Sequence, residues 1–284
     1  MKVAILGFGG RPDVVAHAER MHPVIERYAE IQIVDFTGKE DLSRFELDYA
    51  IVFGGDGSIL RAARQMGYRQ VPVIAVNLGK LGFLADLSPD ELESVLQKAT
   101  REPLPLVHHV MLECCVLRGE ETIVQELVLN EVAVLNGPPF AILDVDLYVD
   151  SELATTYSGD GLILATPVGS TAHCLSAGGP IIRKDLDALV ICPISPHTLS
   201  NRPVVDSADR QYELRVRQPR EHTSLVIDGH VACRLEEADR VTLCKAAPRF
   251  TLASAPGHTY YRTLREKLGW GGRLRYRSDG NPPA

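Results

Sequence analysis

No uncharged apolar run in this chain approaches the ~20 residues of a membrane helix. The longest are short stretches such as Tyr49 to Gly55 and Gly161 to Gly169. The N-terminus lacks a basic start followed by a cleavable apolar segment. Both absences lead us to expect a soluble, cytoplasmic protein with no membrane partner. Basic residues are outnumbered, 30 against 37, which removes the electrostatic footprint of a nucleic-acid binder. Only the tail is basic, through Arg262, Arg265, Lys267, Arg273, Arg275 and Arg277, and its sparse aromatic interleaving reads as a solvated segment. The six cysteines, Cys114, Cys115, Cys174, Cys192, Cys233 and Cys244, include no Cys-x-x-Cys pair, and no His stands at zinc-finger spacing from them. They read as buried thiols of a reducing compartment, with no protein-held metal site. His22 and the pair His108-His109 have no carboxylate or Cys at ligand spacing and read as solvated surface. There is no Walker loop, because Gly79-Lys80 is followed by Leu81, and the turn Gly7-Phe8-Gly9-Gly10-Arg11-Pro12 misses the third glycine of a dinucleotide fingerprint.

What is present is globular: 284 residues, 45% apolar and 24% charged, enough for one large domain or two ordinary ones. Up to about residue 105 strands alternate with helices. Val3 to Leu6, Ile31 to Phe36, Tyr49 to Phe53 and Val73 to Val76 read as buried strands. Val14, Ala18, Met21, Ile25 and Tyr28 recur at helical spacing, as do Ile59, Ala62, Ala63 and Met66. A further helix through Leu92, Val95, Leu96 and Ala99 opens on Ser88 as cap with Pro89 at its first position. Such alternation predicts a parallel sheet covered on both faces.

Beyond residue 105 short strands follow one another: 112–117, 126–135, 141–149, 162–166, 189–192, 212–216, 224–227 and 240–245. The expected architecture is α/β plus all-β: an α/β domain over 1–105, a β-sandwich-like domain over 106–250, and a segment over 251–284 returning to the first domain. Thr259 to Leu268 is helical in pattern, and Asp279 to Ala284 reads as disordered.

Two segments carry chemistry. Phe53-Gly54-Gly55-Asp56-Gly57-Ser58 lies between a buried strand and a helix, where ligands of open α/β sheets gather. Its glycines let backbone approach a phosphate, and the helix adds free N–H groups. Asp56 would repel a bare phosphate, so it suits a base for a hydroxyl, a partner of a phosphate-bound metal ion, or a helix cap. The second segment, Asp160 through Pro180, brackets an apolar strand with Gly, Ser, Thr and Asp. It fits either a purine-and-ribose site or a small-residue packing turn.

Gly54-Gly55-Asp56-Gly57, Asn77-Leu78-Gly79-Lys80-Leu81-Gly82-Phe83-Leu84, Asn130-Glu131, Asp160 to Pro180, Leu199-Ser200-Asn201-Arg202-Pro203 and Asp228-Gly229-His230 resemble the NAD kinase family in order and spacing. The glycine turn alone is shared with diacylglycerol-type lipid kinases and phosphofructokinases; the Asp160–Pro180 block is specific to NAD kinases. The resemblance implies phosphorylation of the adenosine ribose 2′-hydroxyl of NAD, with ATP or polyphosphate as donor and Mg²⁺ or Mn²⁺ arriving with the phosphates. It implies Asp56 as base, and Gly54, Gly55, Gly57 and Ser58 at the donor phosphates. Asp56, Gly57, Arg61, Asn130, Glu131, Asp160, Thr171, Ala172, His173, Ser176 and His230 would form the NAD site. Asp160 would face the nicotinamide half, and Asp160 and His173 would reach a neighbour's site in a homodimer or homotetramer. Ser58, His173, Ser158 and Ala141 depart from the commoner residues, the last two leaving fewer cations near the diphosphate. A lipid kinase and a catalytically silent NAD(P)-binding protein are the alternatives.

Overall fold

The computed structural model describes residues 1–79, 82–138, 141–198, 201–254 and 259–269. The basic positions Arg273, Arg275 and Arg277, the segment 279–284, and Lys80, Leu81, Leu199 and Ser200 of the motifs lie outside the described residues.

Strands β1 (Lys2–Gly7), β2 (Glu30–Asp35), β3 (Tyr49–Phe53) and β4 (Val73–Val76) form a parallel array in the order β2-β1-β3-β4. Helices α1 (Pro12–Glu26), α2 (Asp56–Met66) and α3 (Pro89–Ala99) cover it. Both faces are buried, which is why these strands read as continuous apolar runs. Ala4 and Leu6 pack with Ile59, Ala62, Ala63 and Met66 of α2, while Val3 and Ile5 pack with Val14 and Ala18 of α1 and Leu92 and Leu96 of α3. The cap expected at Ser88 is a full capping box, with the Ser88 N–H donating to Glu91 Oε2 at 2.8 Å.

The rest of the chain is mostly antiparallel: β5 (Leu106–Arg118), β6 (Glu121–Val128), β7 (Glu131–Leu135), β8 (Leu143–Val149), β9 (Glu152–Gly159), β10 (Gly161–Ala165), the one-turn helix α4 (His173–Ser176), β11 (Ala188–Ile194), β12 (Val204–Ser207), β13 (Tyr212–Arg217), β14 (Ser224–Ile227), β15 (His230–Arg234) and β16 (Arg240–Ala253). One sheet runs β12-β11-β10-β7-β14-β15. It packs on β5, β8, β13 and β16 through a core including Leu112, Leu147, Leu162, Leu164, Tyr212, Leu225 and Leu243. Those four strands belong to the same sheet as β1–β4, joined where Leu252 of β16 pairs in parallel with Val73 of β4. Helix α5 (Tyr260–Leu268) buries Leu264. It sets Lys267 Nζ 5.0 Å from the Phe83 ring of the first domain, and its Tyr260 hydroxyl donates to Ile182 O at 3.3 Å. No described helix is long and apolar enough to cross a membrane.

Three readings of the sequence change. The apolar run 126–135 is two strands, because the chain leaves one sheet and enters the other at Leu129-Asn130. Strands β9, β12 and β15 escaped notice because each is a sheet edge with few apolar residues to show a pattern, and Tyr157 of β9 is their one buried core side chain. His109 is not solvated surface. It is 1% exposed on β5, its ring stacked on Phe250 at 6.1 Å, since adjacent residues of a strand face opposite ways and only His108 points outward. The cysteines are all unpaired, with Cys114, Cys174 and Cys192 buried but Cys115, Cys233 and Cys244 only half-buried.

Candidate active site

The connection β1–α1–β2 runs to one side of the parallel array and β3 lies on the other, so the carboxyl ends of β1 and β3 flank a topological switch point. The Gly54–Ser58 turn sits there. Gly54 has φ +134° and lies under Ser58, whose Oγ would be 2.1 Å from an added Cβ. At Gly55 and Gly57 a Cβ would meet nothing within 4 Å, so the backbone is open to an approaching group. The first turn of α2 supplies unsatisfied N–H groups beside that space.

Asp56 is not a helix cap. It is the first residue of α2, after Gly55 at the N-cap, and its carboxylate turns to the loop after β4. Oδ2 accepts from Phe83 N–H at 2.8 Å, while Oδ1 accepts from Leu84 N–H at 2.9 Å and Ala85 N–H at 3.1 Å. Gly82 closes this loop with its N–H on Ala85 O at 2.9 Å. A Cβ at Gly82 would stand 2.3 Å from Asp56 Oδ1, which is why the position is glycine.

A second carboxylate repeats the device. Asp228 and Gly229, with φ +45° and +82°, form the two-residue turn between β14 and β15. Asp228 Oδ2 accepts from Leu129 N–H at 2.9 Å, and Oδ1 from Asn130 N–H at 2.7 Å and Glu131 N–H at 3.0 Å. The chain changes sheets here because this carboxylate takes the three amides that neither ladder uses. From the other side the Asp160–Pro180 segment closes in. Thr166 Oγ1 donates to Leu129 O at 2.5 Å, and Gly169 lies so close that a Cβ would be 2.0 Å from Asn130 O. Glu131, 6% exposed, is left with Oε2 unpartnered, and burial together with the Asp228 charge pushes its carboxyl up to about 8. A buried carboxyl oxygen without a partner is suited to a ligand hydroxyl, which can both donate and accept. Leu84, Ala85, Leu129, Val168 and Ile59 of α2 share one apolar cluster, which ties the two carboxylate-held loops together.

The family models for the ATP-NAD kinase N-terminal and C-terminal domains match residues 16–102 and 129–254. An NAD kinase of Rhodopirellula baltica is 52% identical over 276 residues, 97% of this chain and 89% of that protein. The chain belongs to the ATP-NAD kinase family. An NAD kinase of Geobacter metallireducens is 40% identical over 80% of each chain. The crystal structure of an Archaeoglobus fulgidus NAD kinase in complex with ATP superposes with TM-score 0.76 at 27% identity, covering 95% of this chain and 98% of that one. A yeast NADH kinase complexed with NADH shares the fold, with TM-score 0.84 at 24% identity over 97% and 89% of the two chains.

Membership gives the remaining motif residues a frame. Arg61, on α2, lies 4.4 Å over the Phe8 ring and donates to Thr37 O at 3.3 Å, closing the strand-end rim. Thr171 Oγ1 donates to Val168 O at 3.0 Å, and Ala172 N–H to Gly169 O at 2.9 Å, which extends the Gly169 turn toward the exposed His173 and Ser176. His230 accepts from Arg64 Nη2 on its Nδ1 at 2.6 Å and holds Nε2 3.0 Å from Glu126 Oε2, clasping α2 to β6. Asp160 is not brought to this group. It is exposed at the opposite end of β10 from Ala165, the partner of Glu131, about 17 Å away at ~3.3 Å per strand residue. Ser158 donates to Asp144, and the Ala141 carbonyl accepts from Asn136 Nδ2 at 2.7 Å. Sequence reasoning missed the role of Asp228, quoting it only as part of a motif. The signal available was a buried-strand terminus followed by Asp-Gly, which forces a tight hairpin and points the Asp back along the sheet. Lys184 gave no signal.

Proposed function

We propose that this chain transfers the γ-phosphoryl group of ATP to the adenosine ribose 2′-hydroxyl of NAD, giving NADP and ADP. The observation that carries the reading is the three-amide setting of Asp56 at the switch point. Oδ1 accepts two N–H groups and Oδ2 only one, so Oδ2 keeps a lone pair for the substrate hydroxyl. The hydroxyl donates to Oδ2, its proton passes to the carboxylate as the oxygen attacks the γ-phosphorus, and ADP leaves. Gly55, Gly57 and the start of α2 receive the donor phosphates. Asn130 and Glu131 hold the ribose and adenine region, with Thr171, Ala172, His173 and Ser176 at the adenine end.

Among the described residues no three His, Cys, Asp or Glu side chains converge on one point. We take the divalent ion to enter as part of the ATP substrate, since Mg²⁺ needs only one or two carboxylates beside the phosphates. We propose a homodimer or homotetramer in the cytoplasm. The exposure of Asp160 and His173, and the distance of Asp160 from its own Glu131, support a role for them at a neighbour's site.

The test is to incubate purified protein with NAD, ATP and Mg²⁺ and to follow NADP with an NADP-specific dehydrogenase, with polyphosphate and diacylglycerol in parallel arms. NADP formation is expected. Phosphorylated diacylglycerol, or NAD binding without turnover, would refute the reading, and an active monomer by light scattering would refute the assembly.

A further inference from the structure

The geometry points to Lys184 as a positioning residue for Asp56, acting through the peptide group between Phe83 and Leu84; this deepens the proposed function and rests on Asp56 being the base. Lys184 lies in the turn Arg183–Leu186, closed by the Leu186 N–H on Arg183 O at 3.1 Å. Its ammonium donates to the Phe83 carbonyl. The N–H of that same peptide group, belonging to Leu84, donates to Asp56 Oδ1 at 2.9 Å. A cation on the carbonyl polarises the peptide and strengthens its N–H as a donor, so the charge of Lys184 reaches the base through one rigid planar unit.

Lys184 is itself held from behind. Its carbonyl accepts from His109 Nδ1 at 3.1 Å. Burial pulls the His109 pKa down to about 4, so the ring is neutral, and it is braced against Phe250. Two residues earlier, Ile182 N–H donates to Ser170 Oγ at 3.0 Å, within the turn that packs on Asn130. The segment 182–184 thus touches the Asp56-held loop directly and the Asp228-held loop through the Gly169-Ser170 turn, and it links the substrate-holding turn to the base.

Around the ammonium stand Asp56 from α2, Asp86 from the loop after β4, Arg183 and Asp185 of its own turn, His109 of β5, and Tyr260 and Lys267 of α5. Burial draws the lysine down to about 8 although Asp56 and Asp86 oppose the change. Deprotonation near pH 8 therefore removes the polarising charge, and turnover falls there.

The experiment uses the full chain with Lys184→Met and Lys184→Arg, each made in the wild-type and Asp56→Asn backgrounds. It reads kcat, KM for NAD and the pH dependence of kcat. Lys184→Met is expected to lower kcat by about 10-fold, the lower end for losing a charge-assisted hydrogen bond, with KM for NAD within about 2-fold. Lys184→Arg keeps its charge at every pH used, so it stays within about 3-fold of wild type and loses the alkaline fall near pH 8. In the Asp56→Asn background Lys184→Met adds no loss. Should Lys184→Met not fold, Lys184→Gln retains a donor without the charge and is read the same way. A slow Asp56→Asn beside a wild-type Lys184→Met overturns the role of Lys184 and leaves Asp56 as base. Equal losses in both backgrounds also overturn it. Wild-type turnover in Asp56→Asn overturns both readings together.

Discussion

Replacing Asp56 by Asn tests the base and its setting at once. The carboxylate accepts three backbone N–H groups at 2.8, 2.9 and 3.1 Å. An amide has one oxygen, which can serve Leu84 and Ala85 together, and its NH₂ then confronts the Phe83 N–H. One charge-assisted bond is lost, leaving a donor unsatisfied, at about 1–3 kcal/mol, and the two retained bonds weaken by roughly 0.5–1 kcal/mol each. The site is half-exposed, so water offsets part of this, and about 2–3 kcal/mol is expected overall. For a chain of this size that is a fall of about 4–8 °C in Tm, read by calorimetry. Removal of the proton acceptor should lower kcat by ~10²–10⁴-fold. NAD affinity, measured by titration calorimetry, should change little. Leu92→Ala in the fully buried face of α3 is the control: it costs about 2–5 kcal/mol yet should keep wild-type turnover at 25 °C. An Asp56→Asn protein with wild-type kcat would remove Asp56 from the mechanism, and one with unchanged Tm would contradict the three-amide setting.

Asp228→Asn should likewise leave one of three amides facing an NH₂, destabilise by about 1–3 kcal/mol and raise KM for NAD with a smaller effect on kcat; an unchanged KM contradicts its role in shaping the Asn130-Glu131 turn. Glu131 is raised from 4.5 unfolded to about 8 folded, so the native state holds its proton longer, and stability falls as pH rises between those values. His109, depressed from 6.5 to about 4, acts in the opposite sense only below 6.5, and Lys184, drawn down to about 8, acts so only as pH nears and passes 8. Denaturant melts between pH 6.5 and 7.5 therefore read Glu131 together with the raised Asp228 carboxyl, and Glu131→Gln should flatten that slope. Gly169→Ala places a methyl 2.0 Å from the Asn130 carbonyl, and it should lower Tm and raise KM for NAD at a cost of roughly 1–3 kcal/mol or more. EDTA should abolish turnover by stripping the nucleotide of its cation while leaving Tm unchanged; unfolding on chelation would reveal a structural metal.

Much of this was legible in the residues alone. Runs such as Val3 to Leu6 and Tyr49 to Phe53 are apolar on both faces, and only a sheet covered on both sides buries them, so the α/β half followed from local pattern. The Gly54–Ser58 turn announced itself because glycine and a lone carboxylate at a strand-to-helix junction have few other uses, and the longer motifs led to the family. Tertiary structure decided what local pattern cannot encode. Whether 126–135 was one strand or two depended on the Asp228 carboxylate, about a hundred residues away, taking the amides at the break. Whether Asp56 capped its own helix or met another loop depended on Gly82 leaving room for it. The burial of His109 and the reach of Lys184 to Phe83 are long-range contacts with no periodicity, since each depends on which sheet face lies opposite. Sequence determines the elements and the chemical groups because those are properties of neighbours along the chain. Packing decides which groups meet, because hydrogen-bond geometry is satisfied only between segments the fold has brought together.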